Sequence, residues 1–153
     1  MKKLFVLIGL VLGFTIQVMA QTTPNDFTIV GQSSNDGNMR QIEKRYQHRV
    51  NTCFITDSEI NAIDQIGVAL ATKGKVENLH IYLKTSPGEL IFSNSTILTI
   101  NNINDFSMSL QNWKQYVSGK VVIHSHVVFD QPEGLQLRKN LETLSGLQFI
   151  FKR

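Results

Sequence analysis

The stretch VVIHSHVVFD, Val121 to Asp130, starts as a buried strand and carries two histidines one residue apart, His124 and His126. Side chains alternate along a strand, so the two imidazoles share a face, with their Cβ atoms about 6.5–7 Å apart. That spacing lets two rings converge on one metal ion. Zinc takes three or four protein ligands, and the candidates for a third are His80, on the preceding apolar run, and Asp130, just past the histidines. Against this metal reading stands a simpler one, in which the histidines fill a cleft, hydrogen-bonded or partly hydrated. The simpler reading is preferred, because Lys84 belongs to the same region and an ammonium group repels a cation. No cofactor is expected.

Other chemistry-bearing residues are few. Cys53 is the single cysteine of the chain, so an intrachain disulfide is excluded, and its place in the apolar run CFI suits a buried thiol better than a reactive one. Ser125 points away from its histidine neighbours. The cluster Arg40, Lys44, Arg45, His48 and Arg49 reads as a solvated helix face. The formal net charge of +3 includes Lys2 and Lys3. Without them 13 basic residues face 12 acids, and no basic stripe argues for nucleic acid.

Lys2 and Lys3 precede the apolar run LFVLIGLVLGF, and Val18-Met19-Ala20 offers small residues for cleavage. Residues 1–20 therefore read as a signal peptide, and the chain as exported, periplasmic or secreted. The run is too short and too soon interrupted for a membrane span, so no membrane association is expected after cleavage. Residues 21–26 read as a flexible lead-in and 27–153 as one domain with a core of its own.

The elements that must position the histidines follow from periodicity. FTIV (27–30) reads as a strand, and Met39, Ile42 and Tyr46 recur at helical spacing. NTCFIT (51–56) is a second strand, after which Thr56 and Glu59 have capping-box spacing ahead of a helix carrying Ile60, Ile63, Ile66 and Leu70 and ending near Gly74. VENLHIYL (76–83) is a third strand, on which His80, Tyr82 and Lys84 share a face. A short hairpin turns at Ser86-Pro87-Gly88 and at Ser93-Asn94-Ser95. Asn104 or Asp105 caps a helix with Phe106, Leu110, Trp113 and Val117 inward, stopped by Gly119. KVVIHSHVV follows as a strand. Pro132 opens a helix with Leu137, Leu141 and Leu144 inward, stopped by Gly146, and LQFIF closes the chain. Alternation of strand and helix predicts an α/β fold: a three-layer α/β/α sandwich with a mostly parallel sheet and a small hairpin. Ligands in such folds sit outside the carboxyl ends of the strands, so Tyr82, Lys84, Ser86, His124, His126 and Asp130 are the binding-cleft candidates.

The segments LHIYLKTSPGELIFSNSTIL and GKVVIHSHVVFDQPEGLQLRKNLETLSGLQFIF resemble the DUF4347 family, a caspase-like domain of bacterial surface proteins. Leu79-His80-Ile81 matches its strand, Ser86-Pro87-Gly88 and Leu90 its turn and hairpin, Gly134 the glycine after its second strand, and Leu144-Ser145-Gly146 its helix end. The resemblance covers roughly Asp57 to Phe151 and implies a caspase-like fold. In the family, an SHG histidine and a YGC cysteine resemble a peptidase dyad, which needs a thiolate and an imidazole. Here Lys84 stands at the histidine position and His126 at the cysteine position. The resemblance therefore implies a degenerate member: no catalytic residues and no enzyme activity, but a binding or regulatory domain whose partner is a protein or peptide. The alternatives are a metal-binding or metal-dependent hydrolase using His124 and His126, with His80, and a purely structural or adhesive surface domain.

Overall fold

The computed structural model describes residues 25–32, 36–125 and 130–153. Residues 1–20 and His126 lie outside that set. Five strands form one parallel sheet: β1 (Phe27–Val30), β2 (Thr52–Phe54), β3 (Leu79–Tyr82), β7 (Lys120–His124) and β8 (Gln148–Lys152), in the order β2-β1-β3-β7-β8. Three more, β4 (Lys84–Ser86), β5 (Glu89–Ile91) and β6 (Ile97–Thr99), form a small antiparallel sheet. Helices α1 (Gly37–Tyr46), α2 (Ala62–Lys73), α3 (Ser107–Trp113) and α4 (Pro132–Ser145) connect the strands, with a 3₁₀ turn at Ile103–Phe106 ahead of α3. The architecture is the expected α/β arrangement.

The core fixes which face each helix covers. Ile29, Leu79, Ile81, Val121, Ile123 and Phe149 point to one side of the sheet. There they join Ile63, Ile66 and Leu70 of α2, Leu110 and Trp113 of α3, and Leu137 and Leu141 of α4. α3 packs against both α2 and α4. Among the described helices only α1 lies on the other side, because β1 to β2 is the one crossover running toward the opposite edge, and right-handed connections put it across the sheet. Met39 anchors α1 and is fully buried. Among the described residues no other helix covers that side over β3, β7 and β8. The point where the connections reverse falls between β1 and β3.

Several local expectations are replaced. The Thr56–Glu59 box does not form. Asn61 caps α2 by accepting from the Asp64 amide at 3.0 Å and donating to the Asp64 carboxylate at 2.7 Å. This reciprocal pair outcompetes the earlier one, while the Gln65 carboxamide ties down Thr56 instead. Ile60 is accordingly exposed. The hairpin gains a third strand, because the Ser93-Asn94-Ser95 turn returns Ile97–Thr99 alongside β5. α3 follows the 3₁₀ turn without a side-chain cap from Asn104 or Asp105. It ends at Trp113, after which Val117 bridges Val76, so Gly119 marks a tight backbone approach, not a helix end. Asn25 and Asp26, placed in the lead-in from sequence, are fastened to the domain: Asn25 donates to the Lys75 carbonyl at 2.6 Å, and Asp26 accepts from Asn78 at 2.9 Å.

Candidate functional site

Strand register assembles the site. Val30, Tyr82, His124 and Lys152 are direct neighbours in a row across β1, β3, β7 and β8. All face the α1 side, alternating with Ile29, Ile81, Ile123 and Phe151. A one-residue slip would turn the row into the core. His80 stands two residues before Tyr82 on the same face.

The rings form a continuous file. Tyr82 and His124 stack with centroids 4.2 Å apart and planes 9° apart. Tyr46 of α1 leans on Tyr82 at 5.0 Å and donates its hydroxyl proton to the Tyr82 hydroxyl at 2.8 Å. On the other flank His80 lies 5.2 Å from His124, with His80 Nδ1 and His124 Nε2 2.9 Å apart. The second nitrogen of His80, Nε2, is 3.3 Å from the Asp26 carboxylate. Where Nε2 of His80 carries a proton for Asp26 and the ring is neutral, its Nδ1 accepts from His124 Nε2–H. The carboxylate thereby sets the tautomer of both rings, and Nδ1 of His124 is left as a lone pair.

Electrostatics follow from half-burial. Desolvation, the neighbouring His80 and then Lys152 hold the His124 pKa down at about 4, so this ring is neutral at physiological pH. Burial first, and then Tyr46, push the Tyr82 phenol well above its ordinary value, while the Arg45 charge pulls the other way. Burial raises the Cys53 thiol, and Cys53 lies on β2 at the far edge, facing the core.

Above this row lies a cavity of about 300 Å³. Its floor is Tyr82, His124 and Ser125, its wall is the α1 stripe Asn38, Gln41, Ile42 and Arg45, and Arg153 closes one end. Those α1 positions recur at i, i+3, i+4 and i+7, which places them on one helix face.

The sequence candidates divide. Tyr82 and His124 meet in this cavity, and His80 supports it from below. Lys84 does not share their face. β3 stops at Tyr82, Leu83 drops into the core, and Lys84 opens β4 exposed to solvent, opposite Ile91. Ser86 pairs with Glu89 at the hairpin turn, and Asp130 is exposed ahead of α4. Neither lines the cavity. His126 lies outside the described residues, so the proposed His124–His126 metal pair does too. Among the described residues no three His, Cys, Asp or Glu side chains stand together as a metal site, since His80 and His124 engage each other. Ser125 is turned inward, as alternation requires, and its hydroxyl accepts from Thr85 at 2.9 Å, which ties the small sheet to the end of β7. Sequence reasoning missed Asp26, Arg45, Tyr46, Asn38, Gln41 and Arg153. Arg45 and Tyr46 were visible as part of a helix beside the first strand, but not their side of the sheet.

Fold and site together define a doubly wound α/β domain with a ring-lined pocket at the carboxyl ends of its central strands. The chain belongs to the DUF4347 family, described as a domain of unknown function, whose model matches residues 29–150. No curated protein and no solved structure matches it.

Proposed function

We propose that this protein is an exported, non-catalytic caspase-like domain that binds a protein or peptide ligand, or regulates through it. The observation that carries the reading is the position of Lys84. Where the family pattern places a histidine, this chain has an exposed ammonium at the start of a separate small sheet. A peptidase dyad needs its base within hydrogen-bond reach of its nucleophile. Cys53 is two strands from β3 and core-facing, and Ser125 is buried against Thr85. What the open face offers instead is a pocket with a fixed ring file, the usual form of a binding site. Export rests on the Lys2-Lys3 and apolar-run pattern alone.

The test is a fluorogenic peptide-library assay on the purified chain, paired with fractionation of the expressing cells. The expected result is no turnover and recovery outside the cytoplasm. Turnover that disappears on Lys84→Ala or His126→Ala would overturn the non-catalytic reading, and retention in the cytoplasm would overturn export.

A further inference from the structure

The geometry points to a ligand class for this pocket: a small organic acid whose carboxylate is held by the Arg45 guanidinium, with Arg153 as a second cation at the rim. The inference rests on the binding-domain reading and goes beyond it: the pocket holds this small acid as a ligand distinct from the peptide.

Among the described residues the lining carries two guanidinium groups and no acidic side chain. Neither arginine is in an ion pair among the described residues, where the pairs are His80 with Asp26 and Arg138 with Glu142. A guanidinium facing a concave surface presents a planar fork of N–H donors that matches a carboxylate. Asn38 and Gln41 bring carboxamide N–H donors on the same helix face. His124 is tied through Nε2 to His80, and the Asp26 carboxylate beyond it is engaged by His80 and Asn78. The remaining wall is apolar: Ile42 and the Tyr82 ring. That surface matches the hydrocarbon body of an organic acid and would be left bare by a bare inorganic anion. The cavity, about 300 Å³, is at the small end of ligand pockets and matches an acid of about a single aromatic ring with its carboxylate.

The experiment titrates the ¹⁵N-labelled full chain with benzoate, with benzamide and inorganic phosphate as comparison probes, and follows the amides of Asn38, Gln41 and Ser125. Saturable shifts with benzoate are expected, at least tenfold weaker with benzamide and with phosphate. Arg45→Gln is expected to weaken benzoate at least tenfold, and Arg153→Gln by a smaller factor, with amide spectra otherwise native. Benzamide binding as tightly as benzoate would remove the charge from the account. Phosphate binding as tightly would remove the organic acid. Benzoate affinity unchanged in Arg45→Gln would remove the assignment altogether. The two readings fail separately. Peptide turnover with benzoate binding intact removes the non-catalytic reading only, whereas benzamide binding without a benzoate preference leaves a binding domain and removes the acid.

Discussion

Replacing His124 by Phe should make the protein less acid-sensitive. The phenyl ring keeps the stack on Tyr82 and cannot be protonated. In the native chain His124 has a pKa of about 4 against an ordinary 6.5, so between those values the unfolded state binds a proton that the folded state refuses. Stability is therefore full above pH 6.5 and is lost progressively as the pH falls to about 4. At about 1.4 kcal/mol per pH unit the gap would amount to about 3 kcal/mol for a ring shut off from water. His124 is only half-buried, and solvent screening reduces its share to about 1 kcal/mol. The assay is urea unfolding of native protein and His124→Phe at pH 7.5 and pH 4.5. Surface carboxylates are common to both proteins and largely cancel in the difference, whereas the His80–His124 contact is lost in the variant and is counted in it. The native protein should lose about 1 kcal/mol more than the variant between the two pH values. Equal losses would refute the argument that the ring is held neutral by its surroundings.

The remaining expectations concern the scaffold around that ring. Gly119→Ala would place a Cβ 2.6 Å from the Glu77 carbonyl oxygen and 2.8 Å from Asn78 Oδ1, in backbone pinned by the Gly119 N–H to Glu77 bond. Thermal unfolding should show a loss of about 1–3 kcal/mol, a fall of roughly 4 °C per kcal/mol. Gly67→Ala, in mid-α2, should stabilise by about 0.5–1 kcal/mol. Gly67→Ser should do at least as well by reaching Trp113 Nε1, which is buried without a partner and lies 4.0 Å from a residue-67 Cβ, a bond worth about 1 kcal/mol. Tyr46→Phe removes the hydroxyl pair and should cost about 1 kcal/mol. In ultraviolet titration the Tyr82 phenol should ionise above its ordinary range, since burial is the main cause of its shift.

The order of elements was legible because each run has its own period: FTIV and KVVIH as continuous apolar strands, and Ile63, Ile66 and Leu70, then Leu137 and Leu141, at helical spacing. Alternation within single strands correctly put Tyr82 beside His80 and turned Ser125 away from His124. Alternation failed at Lys84, because the chain leaves the sheet at Leu83 and the period restarts in another sheet. Local signals misled where two competed, as Thr56–Glu59 against Asn61–Asp64, since only the packing of α2 decides between them. The pocket itself was not legible. It depends on α1 crossing alone to one side of the sheet, a consequence of strand order, which brings Arg45 and Tyr46 of one helix over His124, far along the chain. Asp26 was hidden for a different reason: a polar residue ahead of the first strand carries no signal that it will meet His80.

The central claim is that this chain holds a ligand on the open face of its sheet and does not cut it. Mass spectrometry of a defined peptide mixture, incubated with the chain and recovered after co-purification, tests it most directly. Retained peptides are expected back with unchanged masses. Product pairs that sum to a parent peptide plus one water, growing with protein concentration and lost in Lys84→Ala, would contradict it.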